Sequence, residues 1–264
     1  MPAVSLQTRA WLRTVGRAGP ERWVWAVSAL GWLGLTAPLW APVLGSGQHH
    51  SGRPDSGMRM PMGETVSGVD GMSWWPQLGD HLVMWTAMVL AIMLPLVAWN
   101  LRQVGMRSPR ARRTRATVEV AAGWAAVWLG AGAVVSVVAL TATRAASPTL
   151  LVAASVAITV GWQFMGARQV AVARCHRTFA PPLGRAAQRA CVRFGGSLGR
   201  DCLVSCWAGM VMMTAANHRL FVVLPIAWLS WRDRRRPHDR PGTAVSVPVV
   251  VLTGLVAVLF PGSW

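Results

Sequence analysis

Between Gly199 and Asn217 the chain reads GRDCLVSCWAGMVMMTAAN, an apolar run carrying two thiols and three thioethers. On a helix, Cys206, Met210 and Met213 fall about 40°, 80° and 20° from Cys202, and Asn217 about 60°. Only Met212 points away from this stripe, which climbs about 16 Å from Cys202 to Met213. Thiolates and thioethers are soft ligands suited to Cu(I), and thiolates also suit Zn(II). Cysteine and methionine also fill gaps between helices as ordinary core residues. The rest of the chain must decide between these readings.

A second set lies in the apolar run His81–Leu101, where His81, Met84 and Met88 share one helical face. Pro95 should kink that run or free a carbonyl near its inner end. Just upstream, residues 45–76 form a polar, Gly/Ser-rich segment with His49, His50, Met58, Met60 and Met62. Imidazole and thioether bind copper without a deprotonated thiol, an advantage where exposed thiols would be oxidised. These five residues are read as outer collectors, on a segment whose composition predicts flexibility. Cys175, His176 and Cys191 lie in the basic stretch 174–200, at a spacing that matches no standard zinc pattern. They read as reduced loop residues.

The elements that must position these groups are membrane helices. The 264 residues are 53% hydrophobic and 13% charged, with mean hydropathy +0.39, against about 25% charged in soluble domains. The fold predicted is an all-α polytopic bundle of about seven spans, near 23–44, 81–101, 117–140, 149–172, 199–217, 220–231 and 244–260. Residues 1–22 form a polar head, 23–44 a retained first span, 45–76 the His/Met loop, and 77–264 the remaining domain. Tryptophans near the run ends, such as Trp23, Trp40, Trp75, Trp99 and Trp231, fit an interfacial belt. All 26 basic residues are arginine, and with a cytoplasmic N-terminus 22 fall inside and four (Arg53, Arg59, Arg144, Arg219) outside. That bias predicts N-in, C-out in a bacterial cytoplasmic membrane. It also accounts for the net charge of +17 without nucleic acid as a partner.

This topology puts Cys202 near the cytoplasm and Met213, His81 and Met84 near the exterior. With the second and fifth spans as neighbours, Met84 and Met88 come level with Met213 and Met210. Thioethers then line the outer half and thiolates the inner end, the order that relays Cu(I) between exchangeable and tight sites.

Two motifs carry a family resemblance over roughly residues 80–233. Met84, Trp85, Met88, Ala91, Met93 and Pro95 match M-W-x-x-M-x-x-A-x-M-x-P. Cys202, Cys206 and Trp207 match C-x-x-C-C-W after a Gly-x-x-x-Gly-like start, with Ser205 in place of the middle cysteine and Ile92 in place of an adjacent methionine. In these the chain resembles a bacterial domain-of-unknown-function family of predicted metal-binding integral membrane proteins. The resemblance implies a multi-pass helical fold and metal binding, and no established reaction.

The expected function is binding or relay of a soft metal, Cu(I), through Cys202, Cys206, Met210, Met213, Met84, Met88 and His81. Lipid is the expected surrounding. The competing expectation is an accessory subunit of a larger membrane complex, such as a copper-containing membrane oxygenase, with other membrane subunits as partners. No nucleotide motif, Ser-His-Asp set or carboxylate pair is readable. Histidines suited to haem ligation on facing helices are lacking, and intramembrane acids for proton coupling are nearly absent. A binder is expected rather than an enzyme.

Overall fold

The computed structural model describes residues 22–45, 74–182, 184, 186–235 and 243–259 and is all-α. The helices are α1 (Arg22–Gly45), α2 (Trp74–Met88), α3 (Leu94–Arg107), α4 (Arg113–Ala145), α5 (Pro148–Gln163), α6 (Gly166–Arg174), α7 (Ala186–Ala215), α8 (Leu220–Arg235) and α9 (Thr243–Leu259). Over the described residues, each of the seven apolar runs falls in one of these helices or a joined pair, apart from the turn residues Ala216 and Asn217. Trp74–Arg107 and Arg110–Ala145 are long and apolar enough to cross a membrane. The pair α5–α6, bent by 71°, makes a third if it counts as one broken span. Leu129, Val134 and Val138 on α4 and Leu252, Leu255 and Leu259 on α9 are exposed, an apolar outer surface of the kind lipid covers.

The break in regular α-helical bonding before Pro95 has a local cause and a local repair. Pro95 has no N–H to give the carbonyl of Ala91 and its ring crowds that turn. The helix loosens into a π segment at Val89–Met93 immediately before it. The Ser28 hydroxyl on α1 donates to the Ala91 oxygen at 3.1 Å, supplying a missing donor. Gly31 allows the approach, since a Cβ there would lie 2.6 Å from the Ala91 nitrogen.

The central pair is α4 against α7. An added Cβ at Gly123 would run into the carbonyl of Val192, one at Gly195 into the carbonyl of Val120, and one at Gly199 would lie 2.9 Å from the Trp124 oxygen. The two backbones touch because these positions lack side chains. On the other side of α4, the Trp85 indole lies over Gly132 and donates to the Trp128 oxygen at 3.0 Å. Gly130 faces open space.

Helix α4 therefore stands between α2 and α7. The expectation that the second and fifth spans are direct neighbours is not met, because neither α2 nor α3 packs along α7. The physical reason is the glycine seam, which gives α4 the closest seat on α7 and leaves α2 on its far face. Helix α7 also begins at Ala186, so the basic stretch 186–198, read as loop, continues the helix. Glu119 is buried near the start of α4, bound at 2.9 Å by both Arg112 and Arg115.

Candidate metal centre

Helix α7 places Cys202, Met210 and Met213 out of contact with solvent, at 1%, 0% and 0% exposure. Met212, on its other side, is equally buried. Burial alone thus does not single out the stripe, since α4, α5, α6 and α8 surround α7. What singles out Cys202 is its company. The Cys175 Sγ, on the turn that ends α6, lies 4.0 Å from the Cys202 Sγ. That is nearly twice the length of a disulfide, about 2.05 Å, so these are two separate thiols, and both are free. The Arg234 guanidinium, from the end of α8, points one nitrogen at the Cys202 sulfur and donates from the other to the Cys175 carbonyl at 3.3 Å. The hydrogen bond to Cys202, and then burial, push the Cys175 thiol above its ordinary range.

The turn carrying Cys175 is clamped. Asn100 on α3, itself buried, donates to the carbonyls of Cys175 and Arg177 at 3.1 and 3.2 Å. Arg177 in turn binds Asp201, the neighbour of Cys202, at 2.7 Å. The glycine seam lies beside it: Gly199 seats the Trp124 backbone, and the buried Trp124 indole N–H has no hydrogen-bond partner among the described residues.

Cys206, one turn further on, is half-buried and opens elsewhere. It lines a cavity of about 30 Å³ between α5, α6, α7, α8 and α9, room for one water or ion. Gln163, Arg168, Asp233 and Arg234 also line it, and the buried Oε1 of Gln163 has no hydrogen-bond partner. Arg168 pairs with Asp233 across its rim. Ser205, where the resembling family has a third cysteine, donates to the Cys202 carbonyl at 2.8 Å and contacts the Cys206 sulfur at 3.3 Å.

The other sequence-predicted residues are spread along the bundle. Met88 is fully buried at the end of α2, Met84 and His81 are half-buried above it, and α4 separates their helix from most of α7. His49, His50, Met58, Met60 and Met62 lie outside the described residues. Among the described residues no group of three or more His, Cys, Asp or Glu forms a metal cage. The structure adds Cys175, Asn100 and Arg234 to the site. Cys191, grouped with Cys175 by sequence, lies near Glu119 instead. The usable signal was depth: Cys175, Cys202, Asn100 and Arg234 all belong to the arginine-rich ends of their spans.

The chemistry of this donor set suits a soft monovalent ion. With metal–sulfur bonds of about 2.3 Å, sulfurs 4.0 Å apart subtend about 120° at the metal. That is the angle between two bonds in a three-coordinate sulfur site, and Cys206 lies one helical turn from Cys202. A dithiolate holding a monovalent ion carries net charge −1, which Arg234 offsets.

A family model described as PpoB2, copper chaperone, matches residues 82–257, about two thirds of the chain, and this range contains Asn100, Cys175, Cys202, Cys206 and Arg234. No curated protein and no solved structure matches it.

Proposed function

Because this chain belongs to the PpoB2 copper chaperone family, we propose that its cargo is Cu(I) and that Cys175 and Cys202 are the two thiolates that hold it. The observation carrying this reading is the 4.0 Å separation of two free thiols under one guanidinium. Binding displaces a proton from each thiol. A buried anionic complex is costly unless its charge is matched, and Arg234 supplies the match. Cys206, facing the cavity, is the entering and leaving sulfur: it takes the ion from the dithiol by ligand exchange and presents it to the recipient. Competition of purified full-length protein against a chromogenic Cu(I) chelator tests this. Cys175→Ser should abolish the tight site, whereas undiminished affinity would refute the assignment.

The clamp on the Cys175 turn gives a smaller effect. Asn100→Leu frees two carbonyls and lets the turn drift, so Cu(I) affinity should fall about 10-fold, with the fold retained. The same competition assay and a thermal scan read both.

The membrane setting belongs to the same proposal. Seven spans with the N-terminus inside place the dithiol at the cytoplasmic end, where thiols stay reduced, and the His/Met segment outside. Reporters fused at residues 60 and 190 should then lie on opposite faces. The same face for both would overturn this topology. The recipient is a copper protein of the same membrane, which brings the accessory-subunit reading into the chaperone one. Co-migration on native gels is expected, and migration only as a monomer counts against it.

A further inference from the structure

Helix α6 carries Cys175 to its partner, and little apolar contact fixes where α6 lies. Of its described residues Ala171 alone is buried. Its joint to α5 is open. Phe164 and Met165 stand clear of the bundle, and a Cβ added at Gly166 meets nothing within 4 Å. Met165 is extended, at φ −72° and ψ 127°, and the two helices meet at a bend of 71°. A nine-residue helix on such a joint depends on polar ties for its direction.

Those ties come from α8. Arg168, in the first turn of α6, pairs with Asp233, the two side chains being 11% and 15% exposed. Arg232 stands 3.5 Å from the same carboxylate. Arg234, the next residue of α8, donates to the Cys175 carbonyl at 3.3 Å and points its other nitrogen at the Cys202 sulfur. Arg168 and Cys175 are seven residues apart, so they fall about 20° from each other on one face of α6, about 10 Å along it. Successive residues of α8 thus grip that face at both ends. Arg168, Asp233 and Arg234 also line the cavity onto which Cys206 opens. One ion pair therefore stands both at that cavity and at the start of the helix that delivers Cys175.

We propose that Arg168 and Asp233 are positioning residues for the copper site and that their ion pair is a latch. Closed, it holds α6 on α8, keeping the Cys175 Sγ 4.0 Å from the Cys202 Sγ and restricting access to Cys206. Opened, it lets α6 swing at residues 164–165, which loosens the dithiol and uncovers the sulfur that hands the ion on. Its role in copper retention rests on the Cys175–Cys202 assignment, whereas the latch itself does not.

Two measurements on the full-length protein test it. One uses no copper: the apo protein is alkylated with iodoacetamide and the rate at Cys206 is read by peptide mass spectrometry. Arg168→Met and Asp233→Asn should each raise that rate about 10-fold, a factor within the loss expected on breaking a buried ion pair. Arg168→Asp with Asp233→Arg restores opposite charges and should return the rate towards that of the wild type. Cys191, fully buried away from the pair, should keep its wild-type rate throughout. The other measurement is chelator competition and transfer. Both single variants should lose Cu(I) affinity by about 10-fold and pass copper to an acceptor chelator faster, and adding Cys206→Ser should remove that gain. Unchanged Cys206 rates in both single variants, equal acceleration at Cys191 and Cys206, or an exchange variant as fast as the single ones would each overturn the latch. A wild type that binds no Cu(I), with the Cys206 rates changed as expected, would sink the dithiol assignment and leave the latch standing.

Discussion

Cys202→Ser should lower Cu(I) affinity by about 100-fold or more in a chelator competition, because a hydroxyl is a poor ligand for a soft ion. Serine at 202 also leaves Arg234 facing a neutral oxygen in a buried site, so nothing replaces the thiolate's charge. Cys206→Ser should behave differently. Its sulfur opens on the cavity and not on Cys175, so equilibrium affinity should fall only a few-fold, about 10-fold at most. Transfer to an acceptor chelator should slow more than affinity falls. Cys191→Ser, away from the pair, should change neither quantity. Equal loss in all three variants would mean that the thiols contribute as core packing.

Gly195→Leu should be the most damaging change to the fold. The new side chain must displace the backbone of Val120, and backbone cannot rotate aside as a side chain can. Overpacking of this kind costs about 3 kcal/mol or more, and a melting temperature about 10 °C lower is expected in detergent. Because Trp124 is seated through the same seam, copper binding should be lost with the fold. Gly130→Leu is the matched control. A Cβ added there meets nothing within 4 Å, so thermal scans should show a shift of about 2 °C or less. A comparable loss in both variants would mean that the α4–α7 contact does not organise the bundle.

The helices were legible because apolar runs bounded by arginine leave few alternatives, and over the described residues each of the seven runs coincides with a helix or a joined pair, give or take a terminal turn. The stripe on α7 was legible from the 100° turn alone. Its partners were not, because periodicity says which face a residue occupies and nothing of what stands opposite. Cys175 was grouped with His176 and Cys191 by nearness in sequence, whereas the chain folds back through the turn after α6 to set it against Cys202, 27 residues on. Arg234 was absorbed into the charge that sets topology, yet its guanidinium turns inward to the thiols. The position of α4 between α2 and α7 was written in Gly123, Gly195 and Gly199, but small residues announce a close contact without naming its partner.

Copper K-edge X-ray absorption on the full-length protein, loaded anaerobically with one equivalent of Cu(I), addresses the dithiol directly. Two or three sulfur neighbours at about 2.3 Å, with no nitrogen or oxygen, are expected in the wild type. In Cys175→Ser the same first shell should lose a sulfur. A shell containing nitrogen or oxygen in the wild type, or one left unchanged by removing Cys175, would show that the ion is held elsewhere.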